Sequence, residues 1–213
     1  MKKTNSMLMT SLVGGAVLAS AFAMPSAQAE VSASAGVSNM YLWRGFDLGN
    51  GDPAVSGDIS ISNKSGLYGG VWASSGDAAL GNEYDVYAGW GGDVGSIGLD
   101  VSLWSYAYPS SDISPGDLID LVVGVSAGPV TGTLYEMIEG DDADEYRYMT
   151  LGYEKDKFSA LVGHHSYDIA DDATHLDLSY AYNDNLSFTV SQFLDGVDDD
   201  DTKFQVSYSF DIK

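Results

Sequence analysis

One short segment of the sequence combines residue types that could perform covalent catalysis. His164 and Ser166 are two positions apart, and alternate residues of a strand point to the same face. Such a pair could act as general base and nucleophile, with Asp168 two positions further along that face. The flanking motifs of such enzymes are absent, so we interpret these residues as polar strand positions and expect no enzyme.

Two acidic clusters could bind a hard cation through carboxylate oxygens. Neither cluster has the residue order of an EF-hand loop, so solvated loops facing the medium are the favoured interpretation. We expect no cofactor, with weak binding of Ca²⁺ or Mg²⁺ as the alternative. The candidate ligands are Asp141, Asp142, Asp144, Asp198, Asp199, Asp200 and Asp201.

The composition excludes several classes of protein. The 213 residues include 9 Lys and Arg against 31 Asp and Glu, which gives a formal net charge of -22. A nucleic-acid partner is excluded because a polyanion needs a basic surface. The sequence has no Cys, so disulfides and thiolate chemistry are excluded as well. With 45% hydrophobic and 12% aromatic residues, the chain is expected to fold despite its acidity.

The N-terminus has the pattern of an export signal. Lys2 and Lys3 precede an uncharged apolar stretch from 7 to 23, and Ala27-Gln28-Ala29 matches a cleavage site. We expect residues 1–29 to be a cleaved Sec-type signal peptide. Residues 30–213 should then form one transmembrane domain in the outer membrane of a Gram-negative bacterium.

Beyond the signal, apolar and polar residues alternate with the period of a β-strand. In the last segment Phe204, Val206, Tyr208, Phe210 and Ile212 alternate with more polar residues. Turn signals divide the chain into about twelve such strands, and lengths of about ten residues suit tilted membrane strands. We place them near 31–44, 53–62, 67–74, 83–91, 96–107, 118–127, 130–138, 146–153, 158–167, 174–182, 186–194 and 203–212.

The connections between these strands alternate between short turns and longer acidic loops. Outer-membrane barrels have short periplasmic turns and longer extracellular loops. The sequence therefore predicts an all-β fold, a closed antiparallel transmembrane β-barrel with both termini on the periplasmic side. The predicted long loops are 45–52, 75–82, 108–117, 139–145, 168–173 and 195–202.

Acids inside the predicted strands lie on the face opposite the apolar one, except for Glu136, whose face is ambiguous. A carboxylate facing lipid is costly, so the apolar faces should look outward and the acids into a lumen. Arg44 should lie on the lumen side near the rim and pair with a wall carboxylate. By the same alternation Trp72, Trp104 and Tyr106 face inward and could narrow a pore. The predicted lumen acids are Asp58, Asp85, Asp100, Asp120, Asp177 and Asp211.

Three segments near the start of the mature chain resemble the opening of the TorF porin family. They are a Tyr-x-x-Arg-Gly turn at 41–45, the pair Pro53-Ala54, and a Gly-x-Tyr-x-Gly-x-Trp strand at 66–72. The resemblance implies an outer-membrane β-barrel and carries over no catalytic or binding residues. The chain departs from many barrels at its C-terminus, where Phe210 is followed by Asp211, Ile212 and Lys213.

These observations predict a porin-like channel for passive diffusion of small solutes, biased to cations by its acidic lumen and loops. A closed structural or adhesion barrel with a side-chain-filled lumen is the alternative. A lipid-modifying outer-membrane enzyme centred on His164 and Ser166 is the least favoured alternative. The acidity could instead reflect adaptation to a saline habitat. Expected partners are outer-membrane lipid, lipopolysaccharide, the barrel-assembly machinery and small solutes or cations.

Overall fold

The computed structural model describes residues 29–140, 146–168, 170–197 and 201–212. Twelve antiparallel strands form a closed barrel, which confirms the predicted fold class, and β2 and β3 form a separate small hairpin. The strands are β1 (Glu30–Ser38), β2 (Leu42–Trp43), β3 (Phe46–Asp47), β4 (Ala54–Ser62), β5 (Leu67–Asp77), β6 (Gly81–Val94), β7 (Ile97–Tyr108), β8 (Ile113–Ala127), β9 (Val130–Glu139), β10 (Tyr146–Lys155), β11 (Phe158–Tyr167), β12 (Ala173–Ala181), β13 (Leu186–Asp195) and β14 (Lys203–Asp211).

The barrel closes by pairing of its first and last strands. Val37 of β1 pairs with Tyr208 of β14 on one side and with Val55 of β4 on the other. Every barrel strand therefore has a neighbour on both sides, and no backbone edge is left without partners. Pro109–Ser111 form a single 3-10 turn, and within the described residues no helix is both long and apolar enough to cross a membrane.

The two faces of the sheet match the predicted alternation. Ile59, Leu151 and Phe158 on the outer face are 60–63% exposed. Asp85 and Asp100 on the inner face are buried. A strand between lipid and a polar interior requires this division, because a lipid-facing carboxylate is costly.

One end of the barrel holds the start of β1, the end of β14 and the turns after β4, β6, β8, β10 and β12; we call it the turn end. The opposite, loop end departs from the prediction at two connections. The expected loops 75–82 and 108–117 are largely strand, and only 78–80 and 109–112 connect β5 to β6 and β7 to β8. Polar and acidic residues marked these segments as loops, but a strand that rises beyond the membrane can face water on its outer side.

A second departure concerns the predicted strand 31–44. β1 ends at Ser38, and Asn39 finishes the pairing by exchanging hydrogen bonds with the backbone of Val206. The chain then leaves the wall and turns into the barrel. The alternation of Tyr41 and Trp43 imitates a continuing strand, and contacts distant in the sequence redirect it.

Glycines on the inner face make room for tyrosine rings. A Cβ at Gly70 would lie 2.6 Å from the Tyr87 ring carbon that carries the hydroxyl and 2.7 Å from the Ile59 carbonyl oxygen. Such distances are far inside van der Waals contact, so any side chain at Gly70 would displace Tyr87 or the β4 backbone.

We expect Gly70→Ala to lower the free energy of unfolding in detergent by about 1–3 kcal/mol, because it overpacks the inner face. Heat-induced loss of the folded band on a gel measures the effect. Gly132→Ala is the matched control, since its Cβ would meet nothing nearer than the Thr150 carbonyl oxygen at 3.9 Å. Equal thermal stability of the two variants would contradict this account of the inner face.

Candidate functional site

A hairpin crosses the inside of the barrel. Leu42 pairs with Asp47 and Trp43 with Phe46, while the Leu48 N–H donates to the Tyr41 carbonyl at 2.8 Å. We call residues 40–48 the lumen hairpin. Its side chains contact the inner faces of strands from β5 to β13, so it spans the barrel rather than covering its mouth.

The lumen hairpin turns at Arg44-Gly45, and both residues have positive φ, 49° and 87°. A two-residue turn of this kind fits the twist of a β-hairpin but is unfavourable for a residue with a side chain. Gly45 is required on a second ground, because a Cβ there would lie 2.7 Å from the His175 ring. The strained conformation at Arg44 persists because its surroundings hold it.

Arg44 is the centre of these surroundings. Its guanidinium donates to Asp120 Oδ2 at 2.8 Å and to the Tyr146 hydroxyl at 3.1 Å. It also lies 4.5 Å from the centre of the Trp43 ring, 4.6 Å from that of Tyr135 and 4.9 Å from that of Tyr148. Both members of the ion pair are buried.

The cation at Arg44 is stable in this setting. Burial acts to lower its pKa, but the neighbouring Tyr146, Tyr106 and Asp120 outweigh that effect and raise the pKa well above its usual value. Arg44 therefore remains charged, and it supplies a positive charge in the interior of an acidic barrel.

A second anchor holds the other arm of the lumen hairpin. The Tyr41 hydroxyl donates to one oxygen of Glu83, and the Tyr108 hydroxyl donates to the other at 2.8 Å. Burial, followed by the adjacent Glu83 carboxylate, raises the pKa of the Tyr41 phenol well above its usual value. Tyr41 thus stays protonated and donates to Glu83.

The predicted lumen acids divide into buried and accessible groups. Asp85, Asp100 and Asp120 are only 2–3% exposed. Asp100 accepts from the Tyr68 hydroxyl at 2.9 Å, and Asp120 binds Arg44. These three side chains face inward and are buried in this conformation, and their role along a permeation path stays a prediction.

The other predicted acids have more contact with solvent. Asp58 is half-buried and accepts from the Tyr87 hydroxyl at 2.8 Å. Asp177 faces the His175 ring, with Oδ1 3.0 Å from Nδ1. Asp211 is exposed at the turn end. Glu136, which the sequence left ambiguous, pairs across β9 and β10 with Arg147 on the outer face.

Aromatic rings fill the neighbouring part of the lumen. Tyr87 and Trp104 stack with ring centres 4.2 Å apart. With Val122 they form the buried cluster, against which Trp72 and Tyr106 pack. The inward placement of Trp72, Trp104 and Tyr106 follows the predicted alternation, and together they narrow the interior.

Two histidines that sequence reasoning did not single out complete the site. His165 and His175 are fully buried. His165 Nε2 lies 2.8 Å from the Arg44 carbonyl oxygen, and its Nδ1 lies 3.0 Å from the Tyr146 hydroxyl. The alternation that places His164 outward also places His165 inward, so a signal for His165 was present in the sequence.

The His164 ring contacts residues other than the candidate nucleophile Ser166. Its Nδ1 lies 2.9 Å from the Thr174 hydroxyl, and its Nε2 lies 3.5 Å from an Asp172 carboxylate oxygen. Both ring nitrogens thus face residues other than Ser166. The geometry does not form the base–nucleophile contact that serine catalysis needs.

The metal ligands proposed from the acidic clusters fall mostly on positions that the structure does not describe. Asp141, Asp142, Asp144, Asp198, Asp199 and Asp200 lie outside the described residues, and Asp201 is exposed. In the part of the chain that is described, no group of three or more His, Asp or Glu side chains is placed to hold a metal ion.

The fold and its interior define a closed antiparallel barrel that contains an inward hairpin. The chain belongs to the family described as "Bacterial protein of unknown function (Gcw_chp)", whose model matches residues 22–207. The TorF resemblance itself stays a prediction. No curated protein matches the sequence.

Several solved outer-membrane barrels are similar in strand arrangement. The KdgM porin is 10% identical, covers 86% of this chain and 100% of its own, and has a TM-score of 0.49. Outer membrane phospholipase A from Escherichia coli is 9% identical, with 85% and 90% covered and a TM-score of 0.44. A mutant of Rh. blastica porin is 10% identical, with 87% and 100% covered and a TM-score of 0.35. These values carry no inference about solutes or chemistry.

We expect Arg44→Met to lower the free energy of unfolding by about 3–5 kcal/mol, because it leaves the Asp120 carboxylate buried without its cation. Adding Asp120→Asn should recover part of the loss. The control is Arg147→Met, which removes an exposed pair on the outer face and should cost less than about 1 kcal/mol. Thermal unfolding in detergent measures all three, and similar losses for Arg44→Met and Arg147→Met would contradict the central role of Arg44.

Proposed function

We propose that this protein is an outer-membrane porin-like channel for passive diffusion of small solutes, with a bias toward cations. The observation that carries the proposal is the closed twelve-stranded barrel, apolar outside and acidic inside. A wall of carboxylates attracts cations and repels anions, most strongly where water is scarce.

The proposal assigns the turn end to the periplasm. Short turns and both termini lie at that end of outer-membrane barrels. Export would use the signal peptide expected at residues 1–29, and insertion would use the barrel-assembly machinery. Lipid would cover the apolar outer face, and lipopolysaccharide would surround the loop end.

The accessible inward acids are the better candidates for selectivity. Asp211 and Glu154 are exposed at the turn end on strand faces that point inward, and Asp177 retains some contact with solvent. Asp120 is bound to Arg44 and would act on permeant ions only after the lumen hairpin moves, whereas Asp85 and Asp100 are buried on the inner face. The lumen hairpin is thus the constriction of the proposed channel.

A closed structural barrel is the second candidate. The burial of Asp85, Asp100 and Asp120 and the stacked Tyr87–Trp104 pair favour it, because a water-filled pore would leave such groups hydrated. Single-channel recording in a planar bilayer separates the two candidates. Discrete conductance steps support the channel, whereas their absence for the wild type and for a variant lacking residues 40–48 supports the closed barrel.

For a conducting barrel, the reversal potential across a KCl gradient should favour K⁺ over Cl⁻, and the preference should shrink as salt rises. The screening length falls from about 8 Å at physiological salt to about 3 Å at 1 M, so charges at the mouth act on ions over a shorter distance. The pair Asp211→Asn and Glu154→Gln should reduce the low-salt preference. Asp117→Asn is the control, because Asp117 is exposed at the opposite, loop end, where it accepts from the Ser114 N–H. A reversal potential of zero, or one that favours Cl⁻, would reject the electrostatic mechanism.

We also expect the segments 139–145 and 195–202 to face the outside of the cell. An epitope tag inserted at either segment should bind antibody on intact cells, whereas a tag in the turn 63–66 should bind only after the outer membrane is permeabilised. The opposite pattern would reverse the topology, and recovery of the protein in soluble periplasm would overturn the outer-membrane assignment.

A further inference from the structure

The lumen hairpin is tied to the wall by a closed ring of hydrogen bonds that passes through His165. The Arg44 carbonyl can only accept, so the His165 Nε2 atom, 2.8 Å away, must carry the proton. In a neutral ring Nδ1 is then an acceptor, and it takes the hydrogen of the Tyr146 hydroxyl at 3.0 Å. The Tyr146 oxygen accepts in turn from Arg44 at 3.1 Å.

This ring is satisfied only while His165 is neutral. A second proton would make Nδ1 a donor, so the Tyr146 oxygen would face two donors and its own hydrogen would lose its acceptor. The new imidazolium would also lie near the Arg44 cation in a buried site. Two like charges in a poorly solvated site repel strongly.

The groups around His165 offer little compensation for an added charge. Arg44 and Phe46 approach it from the lumen hairpin, Tyr146 and Tyr148 from β10, and Tyr167 along β11. His175 approaches from β12, with Phe193 of β13 behind it, and Asp177 is already in contact with His175. The Asp120 carboxylate is already paired with Arg44.

Phe46 and Gly45 pack on the same histidines. The Phe46 ring lies 5.3 Å from His165 and 4.6 Å from Phe193. Gly45 is close enough to His175 that no side chain would fit. A shift of His165 would therefore disturb the packing at the tip of the lumen hairpin.

We propose that His165 is a proton-sensitive latch that holds the lumen hairpin inside the barrel and releases it under acidic conditions. The inference rests on the proposed channel function, in which release of the lumen hairpin widens the path. The inserted state binds fewer protons at His165 than the released state, so acidification favours release. Histidine is the side chain whose usual titration range lies near neutrality.

Release can be measured without measuring current. The chain has no cysteine, so Leu42→Cys places one thiol at a buried position of the lumen hairpin. Labelling by a membrane-impermeant thiol reagent in liposomes reports exposure of this position. Ser65→Cys in an exposed turn corrects for the effect of pH on the reagent itself.

We expect the ratio of labelling at position 42 to that at position 65 to rise about fivefold or more between about pH 7.5 and pH 5. His165→Gln should abolish the rise, because the amide can donate to Arg44 and accept from Tyr146 but does not titrate. His164→Gln removes the adjacent, outward-facing histidine and should leave the rise intact. Heat-induced band shifts verify that each variant is folded.

Each result decides the proposal. A ratio that does not change with pH, or a full rise in His165→Gln, overturns it, as does loss of the rise in His164→Gln. His165→Asn repeats the test if His165→Gln fails to fold. A pH-dependent ratio without current at either pH supports the latch and counts against the channel, whereas current with a constant ratio supports the channel and rejects the latch.

Discussion

The ion pair between Arg44 and Asp120 is the interaction on which the interior of this barrel depends. Both side chains are buried, and Asp85 and Glu83 lie in the same interior. Desolvated carboxylates are costly unless a cation or hydrogen-bond donors compensate them. Arg44 provides this compensation from the chain itself, and to do so it must bring its backbone into the lumen.

The inward course of the lumen hairpin follows from that requirement. Arg44 reaches a carboxylate on β8 and a hydroxyl on β10 only if the chain leaves the wall after Ser38 and crosses the barrel. The positive φ at Arg44 is a local cost that these contacts offset. Tyr41, bound to Glu83 on β6, fixes the opposite arm and so determines how deep the tip lies.

The sequence was sufficient to predict the wall because the wall obeys a local rule. Each strand separates an apolar outer face from a polar inner face, so residue type and parity together identify the two faces. Asp85 and Asp100 were therefore placed inward and Ile97 and Leu103 outward without any knowledge of their partners. The division fails at the loop end, where β5 to β8 extend through polar and acidic residues that were expected to form loops.

The interior could not be predicted in the same way. The partners of Arg44 lie 76 and 102 positions away in the sequence, and the alternation of Tyr41 and Trp43 does not differ from that of a strand. The alternation predicts that His165 faces inward, but only the position of the lumen hairpin determines which groups it contacts there. The burial of Asp120 likewise depends on what the hairpin covers, so the sequence predicted its direction and not its solvation.

Movement of the lumen hairpin and hydration of the lumen must therefore occur together. Withdrawing Arg44 while the interior stays dry would leave Asp120 charged and unpaired, which is the most costly of the available arrangements. Water entering around an anchored Arg44 would first have to separate the aromatic rings that cover its faces. In the proposed channel, the interior would therefore have two favoured states, one with the lumen hairpin inserted and one with the hairpin withdrawn and the lumen hydrated. A single histidine in contact with both the hairpin and the wall is well placed to bias the balance between them.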